Sequence, residues 1–330
     1  MLPQNSLPTL DVVIPSYNNM ANLRRCLLSL SAPRQQYDSA RYRLIVCVDG
    51  STDGTQEWLK STVSGRKNKQ DAEAAEALRA TNIILRTHTD GKNHGRNATR
   101  NLALDVLESR RTVFLDSDMR VQPGFLKAHA TAEQELQVGK ISYLNAGENL
   151  WAAYLQRRGA GKFADRARLP YYYLVTGNSS MPTAAFIEAG GQDANMRTYG
   201  GGDTEFAIRL HKQAGLPLYY NVKAEAFSEM EKDLRFALAQ MIEFGRINLP
   251  YILEKHPAHD ELFNLRRMLA PGIKGRLLRF GLYTLPETLP EFFFRPLSGR
   301  LRAMLIKTLV AGNIYKGFYQ ATKKRKAATG

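Results

Sequence analysis

Short apolar runs alternate with helical patterns along the first 120 residues of the chain. The apolar runs are rich in Val, Ile and Leu and occupy residues 10–14, 44–48, 82–85 and 112–115. Segments with a helical spacing of apolar residues occupy 20–30, 55–63, 71–80 and 98–107. Because short strands separated by helices form right-handed βαβ units, this order predicts a mostly parallel sheet flanked by helices.

The pattern changes after residue 120. It predicts helices at 124–137, 183–189 and about 204–214, and strands at 141–145 and 174–180. From Asp233 onward the spacing is mainly helical, with predicted breaks at Pro250, Pro257, Pro271, Pro286, Pro290 and Pro296. The sequence therefore predicts an α/β domain followed by a helical C-terminal extension.

Polar segments follow each predicted strand of the first 120 residues. They lie at 15–19, 49–55, 86–91 and 116–118. In sheets of this class, ligands bind outside the carboxyl ends of the strands. These four segments are therefore the predicted lining of a binding site.

The composition is that of an ordinary globular protein, with 330 residues of which 44% are hydrophobic and 23% charged. Cys26 and Cys47 lie in apolar segments, which indicates core residues in a reducing compartment. The sequence has no signal-peptide pattern and no apolar run of about 18 residues. These features predict a cytoplasmic location.

Most of the basic charge lies at the C-terminal end. Residues 264–330 contain fourteen Lys or Arg against two acids, and so carry +12 of the net +15. Cations alternate there with Phe and Leu, as at 276–280 and 292–295. Such segments lie in the headgroup layer of anionic membranes, so peripheral docking on the inner face of the cell membrane is predicted. The alternative is that these helices pack on the rest of the chain and leave a solvated basic face.

The loop that begins at Asp49 resembles two kinds of site. Asp49, Ser51, Asp53 and Gly54 repeat the opening of an EF-hand calcium loop. An EF-hand requires a Glu at position 12, where this chain has Lys60, and flanking helices, whereas an apolar strand precedes this loop. The pattern therefore favours a tight polar turn from a strand into a helix.

Two carboxylates follow the fourth predicted strand, at Asp116 and Asp118. At this spacing they can converge on a divalent cation and leave positions open for phosphate oxygens, although surface acids at a strand end are a simpler reading. A P-loop is excluded, because the nearest fragment, residues 159–163, lacks both its spacing and its hydroxyl. A third motif is the glycine-rich segment before Asp203 and Glu205, where a carboxylate in a first helical turn could act as a general base.

Together these motifs resemble glycosyltransferase family 2 on a GT-A fold. The resemblance covers roughly residues 8–230 and rests on five segments in the family's order: Val13-Ile14-Pro15-Ser16-Tyr17-Asn18, Asp49-Gly50-Ser51-Thr52-Asp53-Gly54-Thr55, Gly95-Arg96-Asn97, Leu115-Asp116-Ser117-Asp118 and Gly202-Asp203-Thr204-Glu205-Phe206. It implies a GT-A catalytic domain at 1–230, with the nucleotide-sugar side at about 8–120 and the acceptor side at about 121–230. Residues 231–330 form the basic helical extension.

The resemblance also implies a role for each matching residue. The nucleotide-sugar site would contain Pro15, Tyr17, Asn18, Asp49, Arg96, Asp116 and Ser117. Asp118 would hold Mn²⁺ or Mg²⁺ on the donor diphosphate, with Asp116 beside the metal or the ribose. Asp203 would be the base that deprotonates the acceptor, with Glu205 next to it.

This sequence departs from the family pattern at three positions. Val48 precedes Asp49, and Gly202 precedes Asp203, where the family often has a further acidic residue. The family's His after the last strand is absent, so Glu229 or water would complete the metal site.

The sequence as a whole predicts an inverting, metal-dependent glycosyltransferase. It would move a sugar from a nucleotide donor, UDP-linked by default, to a glycan or lipid-linked acceptor. One alternative is a sugar-nucleotide nucleotidyltransferase, although residues 14–18 do not supply its glycine-rich loop. The other is a non-catalytic basic protein that binds nucleic acid. No nucleic-acid motif is present, and no specific nucleic-acid partner is predicted.

Overall fold

The computed structural model describes residues 9–64, 76–131, 136–263 and 270–329. The chain divides into two compact units. The first consists of Met1–Leu144, Gly159–Arg197 and Phe206–Glu229, and the second of Asn145–Arg158, Thr198–Glu205 and Met230–Gly330. The last segment of the second unit thus begins one residue before the predicted extension, and the unit also includes two earlier segments.

The first unit is built on a nine-stranded mixed sheet. Its strands are β1 (Leu10–Ser16), β2 (Tyr42–Val48), β3 (Asn82–Thr87), β4 (Arg111–Leu115), β5 (Met119–Val121), β6 (Leu136–Tyr143), β7 (Arg168–Leu169), β8 (Asn178–Pro182) and β9 (Leu218–Ser228). The order across the sheet is β3-β2-β1-β4-β8-β6-β9-β5, with β7 beside β9. The pairings from β3 through β4 are parallel, β8 runs antiparallel to β4 and β6, and β6 and β9 are parallel to each other.

Helices cover both faces of this sheet. Those of the first unit are α1 (Met20–Ser29), α2 (Ala32–Gln35), α3 (Thr55–Val63), α4 (Arg96–Asn101), α5 (Phe125–Thr131) and α7 (Thr183–Glu188). Helix α8 (Gly202–Ala214) begins in the second unit and continues in the first from Phe206. The remaining helices, all in the second unit, are α6 (Leu150–Arg157), α9 (Leu234–Arg246), α10 (Asn248–Lys255), α11 (Gly272–Thr284) and α12 (Gly299–Thr329).

The central strands are buried on both faces because their apolar residues are continuous rather than alternating. Successive side chains of a strand point to opposite faces. Accordingly Val12 and Ile14 of β1 pack into one hydrophobic cluster, and Val13 packs into the other. In β2, Val46 and Cys47 divide in the same way. The runs of Val, Ile and Leu that predicted parallel strands therefore contribute to the hydrophobic clusters on both faces of the sheet.

Both cysteines lie in the first unit and are completely buried. Cys26 is on α1 and Cys47 on β2, and each is 0% exposed. Burial raises the pKa of the Cys47 thiol to about 12. The pKa of the Cys26 thiol is also raised, first by burial and then by the nearby carboxylates of Asp118 and Asp116. Both are thus protonated core residues, as the sequence predicted.

The second unit has its own hydrophobic core, formed by α6, α9, α12 and the segment around Phe294. Glycines allow α9 and α12 to approach closely. A Cβ at Gly245 would lie 2.1 Å from the carbonyl oxygen of Ile314, and one at Gly317 would lie 2.0 Å from that of Ile242. Larger side chains at either glycine would separate the two helices.

Several predicted element boundaries were wrong. The predicted helix at 124–137 ends at Thr131, and Leu136 and Gln137 belong to β6, whereas the predicted strand was 141–145. The predicted strand at 174–180 is instead Asn178–Pro182, and the predicted helix at 98–107 is Arg96–Asn101. Residues 71–75 of the predicted helix at 71–80 lie outside the described residues, and residues 76–78 are helical.

The break that we predicted at Pro250 falls just before this residue, because α9 ends at Arg246 and Pro250 is the third residue of α10. Pro250 lies in the first turn of α10, where the missing backbone N–H has no partner to lose. Among the described residues, no helix has both the length and the apolar character needed to cross a membrane.

Candidate active site

The parallel strands bring the predicted binding segments to one edge of the sheet. Ser16 of β1 pairs with Val48 of β2, which in turn pairs with Thr87 of β3. On the other side of β1, Val13 pairs with Phe114 of β4. The loops after β1, β2, β3 and β4 therefore leave the sheet side by side, as the sequence predicted.

The loops after β1 and β2 are hydrogen-bonded to each other around Asn18. Its backbone is in the left-handed region, with φ of 44°. The Asn18 N–H donates to Oγ of Ser51 over 3.0 Å, and its Oδ1 accepts the Thr52 N–H over 2.7 Å. Oδ2 of Asp53 accepts the Met20 N–H at the start of α1 over 2.9 Å. The polar turn is thus a bridge between two loops, and Tyr17, 50% exposed, projects from it.

Asp49 anchors the loop that follows β3. The residue is 3% exposed, and its Oδ1 and Oδ2 accept the backbone N–H groups of His94 and Gly95 over 2.7 Å and 3.0 Å. The Nε2 atom of His88 lies 3.3 Å from the same Oδ1. Only glycine fits next in the chain, because a Cβ at Gly50 would lie 2.6 Å from the carbonyl oxygen of Gly91.

His88 and His94 form a pair beside Asp49, with ring centroids 4.3 Å apart. Partial burial lowers the pKa of His88, and the neighbouring His94 lowers it further. Nε2 of His94 lies 2.9 Å from Oδ1 of Asp90. This pair keeps the loop in contact with Asp49.

Asp116 is held by a buried arginine. Nη2 of Arg100 donates to Oδ1 of Asp116 over 2.5 Å, and the Arg100 side chain is 2% exposed. Nη1 of Arg100 donates to Oε1 of Gln192 over 3.2 Å. On the other side of the carboxylate, a Cβ at Gly177 would lie 3.1 Å from Oδ2 of Asp116. The orientation of Asp116 is therefore fixed by its protein neighbours.

Ser117 and Asp118 differ in exposure. Ser117 is 7% exposed and its Oγ accepts a long hydrogen bond, 3.4 Å, from Nδ2 of Asn19. Asp118 is exposed, and so is Glu229, which follows directly after β9. Within the described ranges, no group of three or more His, Cys, Asp or Glu side chains could hold a metal ion by itself. A cation here would need oxygen ligands from a bound substrate or from water.

Two other predicted donor-site residues lie at the same edge. Pro15 is buried in β1, and Arg96 is exposed at the start of α4. Gly95 precedes that helix with φ of 87°, and a Cβ there would lie 3.2 Å from the backbone of Arg197. The glycine thus lets the helix begin directly beside the loop that Asp49 holds.

The second unit contains the glycine-rich segment and the carboxylates of Asp203 and Glu205. Gly200 and Gly201 have φ values of 96° and 82°, which favour glycine. A Cβ at Gly200 would also lie 3.1 Å from the ring of Phe244. Glycine is therefore required here both by backbone conformation and by the packing of α9.

The buried side chain of Asn248 is hydrogen-bonded to this segment. Its Nδ2 donates to the carbonyl oxygens of Gly200 and Thr198 over 2.7 Å and 3.1 Å. Its Oδ1 accepts from the Thr198 hydroxyl over 3.0 Å. Asn248 is 3% exposed and begins α10. The C-terminal helices thus fix the loop that leads into Asp203.

Glu205 and Asp203 lie in very different surroundings. Asp203 is half-buried, whereas Glu205 is 0% exposed. Oε1 of Glu205 lies 2.8 Å from Nζ of Lys255 and 3.2 Å from Nε2 of His256. Glu205 therefore joins the first turn of α8 to the end of α10 through an ion pair in which the carboxylate is buried and Lys255 is partly exposed.

The sequence did not point to Arg100, Asn248, Lys255 or His256. Arg100 lies four residues after Arg96 on one helix, a spacing that gives a weak signal of a shared face. No local pattern marks Asn248, whose hydrogen-bond partners are about fifty residues earlier.

Comparisons with known proteins agree with this geometry. Residues 11–138 match the model of Glycosyl transferase family 2. A validoxylamine A glucosyltransferase from Streptomyces hygroscopicus subsp. jinggangensis is 26% identical over 246 residues, which are 64% of this chain and 53% of that protein. The chain thus spans about half the length of this curated relative.

Two solved structures share the fold over most of the chain. The mannosyltransferase PcManGT from Pyrobaculum calidifontis, in complex with GDP-Man and Mn²⁺, is 14% identical with a TM-score of 0.57, over 95% of this chain and 88% of that one. S. aureus TarS 1-349 in complex with UDP is 15% identical with a TM-score of 0.51, over 97% and 92%. These likenesses confirm the predicted fold class, a mixed α/β sheet with C-terminal helices. Residues 11–138 are therefore similar to glycosyl transferase family 2, and the chain has the GT-A fold.

Proposed function

We propose that this protein is an inverting glycosyltransferase that moves a sugar from a nucleotide donor to a hydroxyl of a glycan or lipid-linked acceptor. The observation that carries the proposal is the meeting of the loops after β1, β2, β3 and β4 at one sheet edge, inside the family match at 11–138. Ligands of such sheets bind at that edge. The enzyme class follows from the family, and the donor and acceptor are our inference.

The donor nucleotide binds to the loops after β1 and β2. Pro15, Tyr17 and Asn18 line the base, and Arg96 lies on the phosphate side. Both carboxylate oxygens of Asp49 accept hydrogen bonds from backbone N–H groups. Its main role is therefore to hold the loop at His94 and Gly95 against the base. The solved relatives with UDP or with GDP-Man support a nucleotide donor, and UDP is our default.

The diphosphate binds at Asp116, Ser117 and Asp118 together with Mn²⁺ or Mg²⁺. The residues fit such a metal, because these ions are commonly held by one or two carboxylates and substrate phosphates. In this proposal exposed Asp118 is the main protein ligand of the metal, and exposed Glu229 is a further ligand. The hydrogen bond from Arg100 fixes the orientation of Asp116. When bound, the metal neutralises the charge that develops on the departing diphosphate. The Mn²⁺ in the PcManGT complex supports this assignment.

Asp203 is the general base. It accepts the proton of the acceptor hydroxyl while the hydroxyl oxygen forms a bond to the anomeric carbon. The bond from that carbon to the diphosphate breaks at the same time, and the nucleoside diphosphate leaves with the electron pair. Because attack and departure are in line, the anomeric configuration inverts.

Glu205 is a positioning residue rather than a second base. It is fully buried and paired with Lys255, so it has no access to an acceptor hydroxyl. Its contacts fix the first turn of α8, on which Asp203 is carried. Residues 121–230 contribute the acceptor side, and a lipid-linked acceptor agrees with a peripheral location on the inner face of the cell membrane.

A thermal-shift panel tests the donor proposal. The protein is heated with UDP-, GDP-, dTDP- and CMP-sugars, with and without Mn²⁺, and the correct donor raises the unfolding midpoint by mass action. The Asp118→Ala variant should lose the metal-dependent part of that rise. No rise with any of the nucleotide sugars would refute the proposed donor site.

Asp203→Asn tests the base. The amide cannot accept the proton, so transfer should fall at least about a hundredfold while the donor still raises the midpoint. Glu188→Gln, an exposed acid on α7, is the matched control and should transfer at the wild-type rate. Near wild-type transfer by Asp203→Asn would show that another group takes the proton.

A further inference from the structure

The helix α11 presents a stripe of large apolar side chains to solvent. Ile273, Leu277 and Phe280 are 67%, 65% and 69% exposed. Their spacing of four and three residues places them on one face of the helix. Single exposed apolar residues are common on proteins, but a continuous stripe of this kind marks a surface that binds something apolar.

The opposite face of α11 is held within the second unit. Nη1 of Arg279 donates to the carbonyl oxygen of Ala270 over 2.9 Å. The ring of Tyr283 packs edge-on against that of Tyr319 on α12, with centroids 5.3 Å apart. A Cβ at Gly312 would lie 3.2 Å from the carbonyl oxygen of Leu282. The helix is thus attached to α12 away from the stripe, although Gly275 is the one described residue of α11 that is buried.

Cations flank the stripe. At 100° per residue, Lys274 lies on one side of the line through Ile273, Leu277 and Phe280, and Arg276 lies on the other. Both cations are exposed. Residues 264–330 carry a net charge of +12. An apolar stripe flanked by cations is complementary to a partner that has an apolar interior and a negatively charged surface.

A second apolar feature lies in the same unit. Phe292 and Phe293 are 61% and 49% exposed and stack on each other with centroids 4.4 Å apart. The next residue, Phe294, is 0% exposed in the core and anchors the pair. Exposed Arg295 follows. Aromatic pairs beside an arginine are suited to the boundary between headgroups and acyl chains.

We infer that the stripe Ile273, Leu277 and Phe280 lies in the headgroup layer of an anionic lipid bilayer. The stripe enters the acyl boundary, while Lys274 and Arg276 bind lipid phosphates. This differs from the sequence-based alternative of helices that leave only a solvated basic face, because the exposed face of α11 is apolar. The inference concerns where the protein lies and does not depend on the proposed reaction.

Vesicle sedimentation tests the inference with the full chain and no substrate. The vesicles are phosphatidylcholine alone or with about 30 mol% phosphatidylglycerol. The wild-type protein should sediment with the anionic vesicles only, and less so when salt is raised to about 0.5 M. The variant L277S/F280S should partition at least about tenfold more weakly.

The matched control replaces two exposed apolar residues of the first unit, V63S/I187S. Val63 and Ile187 are 51% and 48% exposed, and the control should partition like the wild type. All four replaced side chains are exposed, so the folds should survive, which the thermal midpoints verify. Equal partition of L277S/F280S and the wild type would overturn the inference.

Insertion is read separately from Phe280→Trp. The native tryptophans, Trp58 and Trp151, are 8% and 2% exposed, so the new indole is the one that responds to its surroundings. Its emission should shift to the blue with anionic vesicles and stay unchanged with phosphatidylcholine. The absence of a shift would overturn the inference. So would a wild-type protein that retards random DNA, or self-associates through the stripe, without sedimenting with vesicles.

Discussion

Asn248 is expected to govern the reaction without touching either substrate. Its Nδ2 atom satisfies the carbonyl oxygens of Gly200 and Thr198 inside the second unit. In Asn248→Ala both carbonyls lose their donor. A buried polar group without a partner costs about 1 to about 3 kcal/mol, so the loss of the donor to both carbonyls should destabilise the segment by roughly 2 to 6 kcal/mol relative to the wild type.

That destabilisation should appear in kcat. Asp203 follows the segment directly, and a displacement of about 1 Å at a reacting group can lower a rate about a hundredfold. We expect kcat of Asn248→Ala to fall between about tenfold and about a hundredfold. The Kd of the donor should be unchanged, because the proposed donor residues are in the first unit. The assay combines steady-state transfer with calorimetric titration of the nucleotide, at a temperature where the variant is folded.

Asn313→Ala is the control for loss of stability alone. Asn313 is 1% exposed, and its Nδ2 donates to the carbonyl oxygen of Glu287 over 2.7 Å. This variant leaves one carbonyl without a donor rather than two, so it should lose about half as much stability and keep the wild-type kcat. If Asn248→Ala also keeps the wild-type kcat, the segment does not need this side chain to present Asp203, and the reasoning is refuted.

Three further outcomes follow from buried polar groups of the first unit. Burial lowers the pKa of His129 from 6.5 to about 3. The contribution of this residue to stability is therefore complete above pH 6.5 and is lost as the pH falls, by up to about 1.4 kcal/mol per pH unit. Denaturation by urea from pH 7 to 5 measures this loss of stability, and an equal dependence on pH in His129→Gln would contradict it. Asp49→Ala frees the loop at His94 and should raise the donor Kd at least about tenfold, measured by titration; an unchanged Kd would exclude this role. Arg100→Met leaves Asp116 without its buried partner and should destabilise the fold by about 3 kcal/mol in thermal unfolding, which a wild-type midpoint would disprove.

The parts of the fold that could be predicted are those in which local pattern and tertiary structure agree. Strands β1, β2 and β4 were located because runs of Val, Ile and Leu are buried on both faces. Strand β3 has a similar apolar run but lies at the end of the strand order and is only partly buried. The helix α3 was predicted from Thr55 to Val63, which are its actual bounds. In these segments the local preference of the residues for helix or strand agrees with the structure that the complete fold gives them.

Other segments were set by partners far along the chain. Gln137 is polar and reads as helical, yet it lies in β6 because its Oε1 accepts from Asn221 of β9 in the core. Glu205 reads as an ordinary first-turn acid, and its burial depends on Lys255. A sequence pattern contains no information about such pairings until the fold brings them together.

The same division applies to the candidate site. The motifs located Asn18, Asp49, Asp116 and Asp118 at the ends of strands, where the sheet topology brings their loops together. The residues that hold them, such as Arg100, were not found, because a buried guanidinium has no local signature.

Because Cys26 and Cys47 are completely buried, neither should react with thiol-specific reagents while the chain is folded. Maleimides and related reagents react with thiolates, and both thiols are protonated and inaccessible in the folded state. A cysteine introduced at an exposed position such as Tyr17 would therefore be the one reactive thiol, and neither natural cysteine would have to be replaced. Fluorophores or spin labels could then be attached to one chosen loop at a time, so that its response to added nucleotide is followed directly.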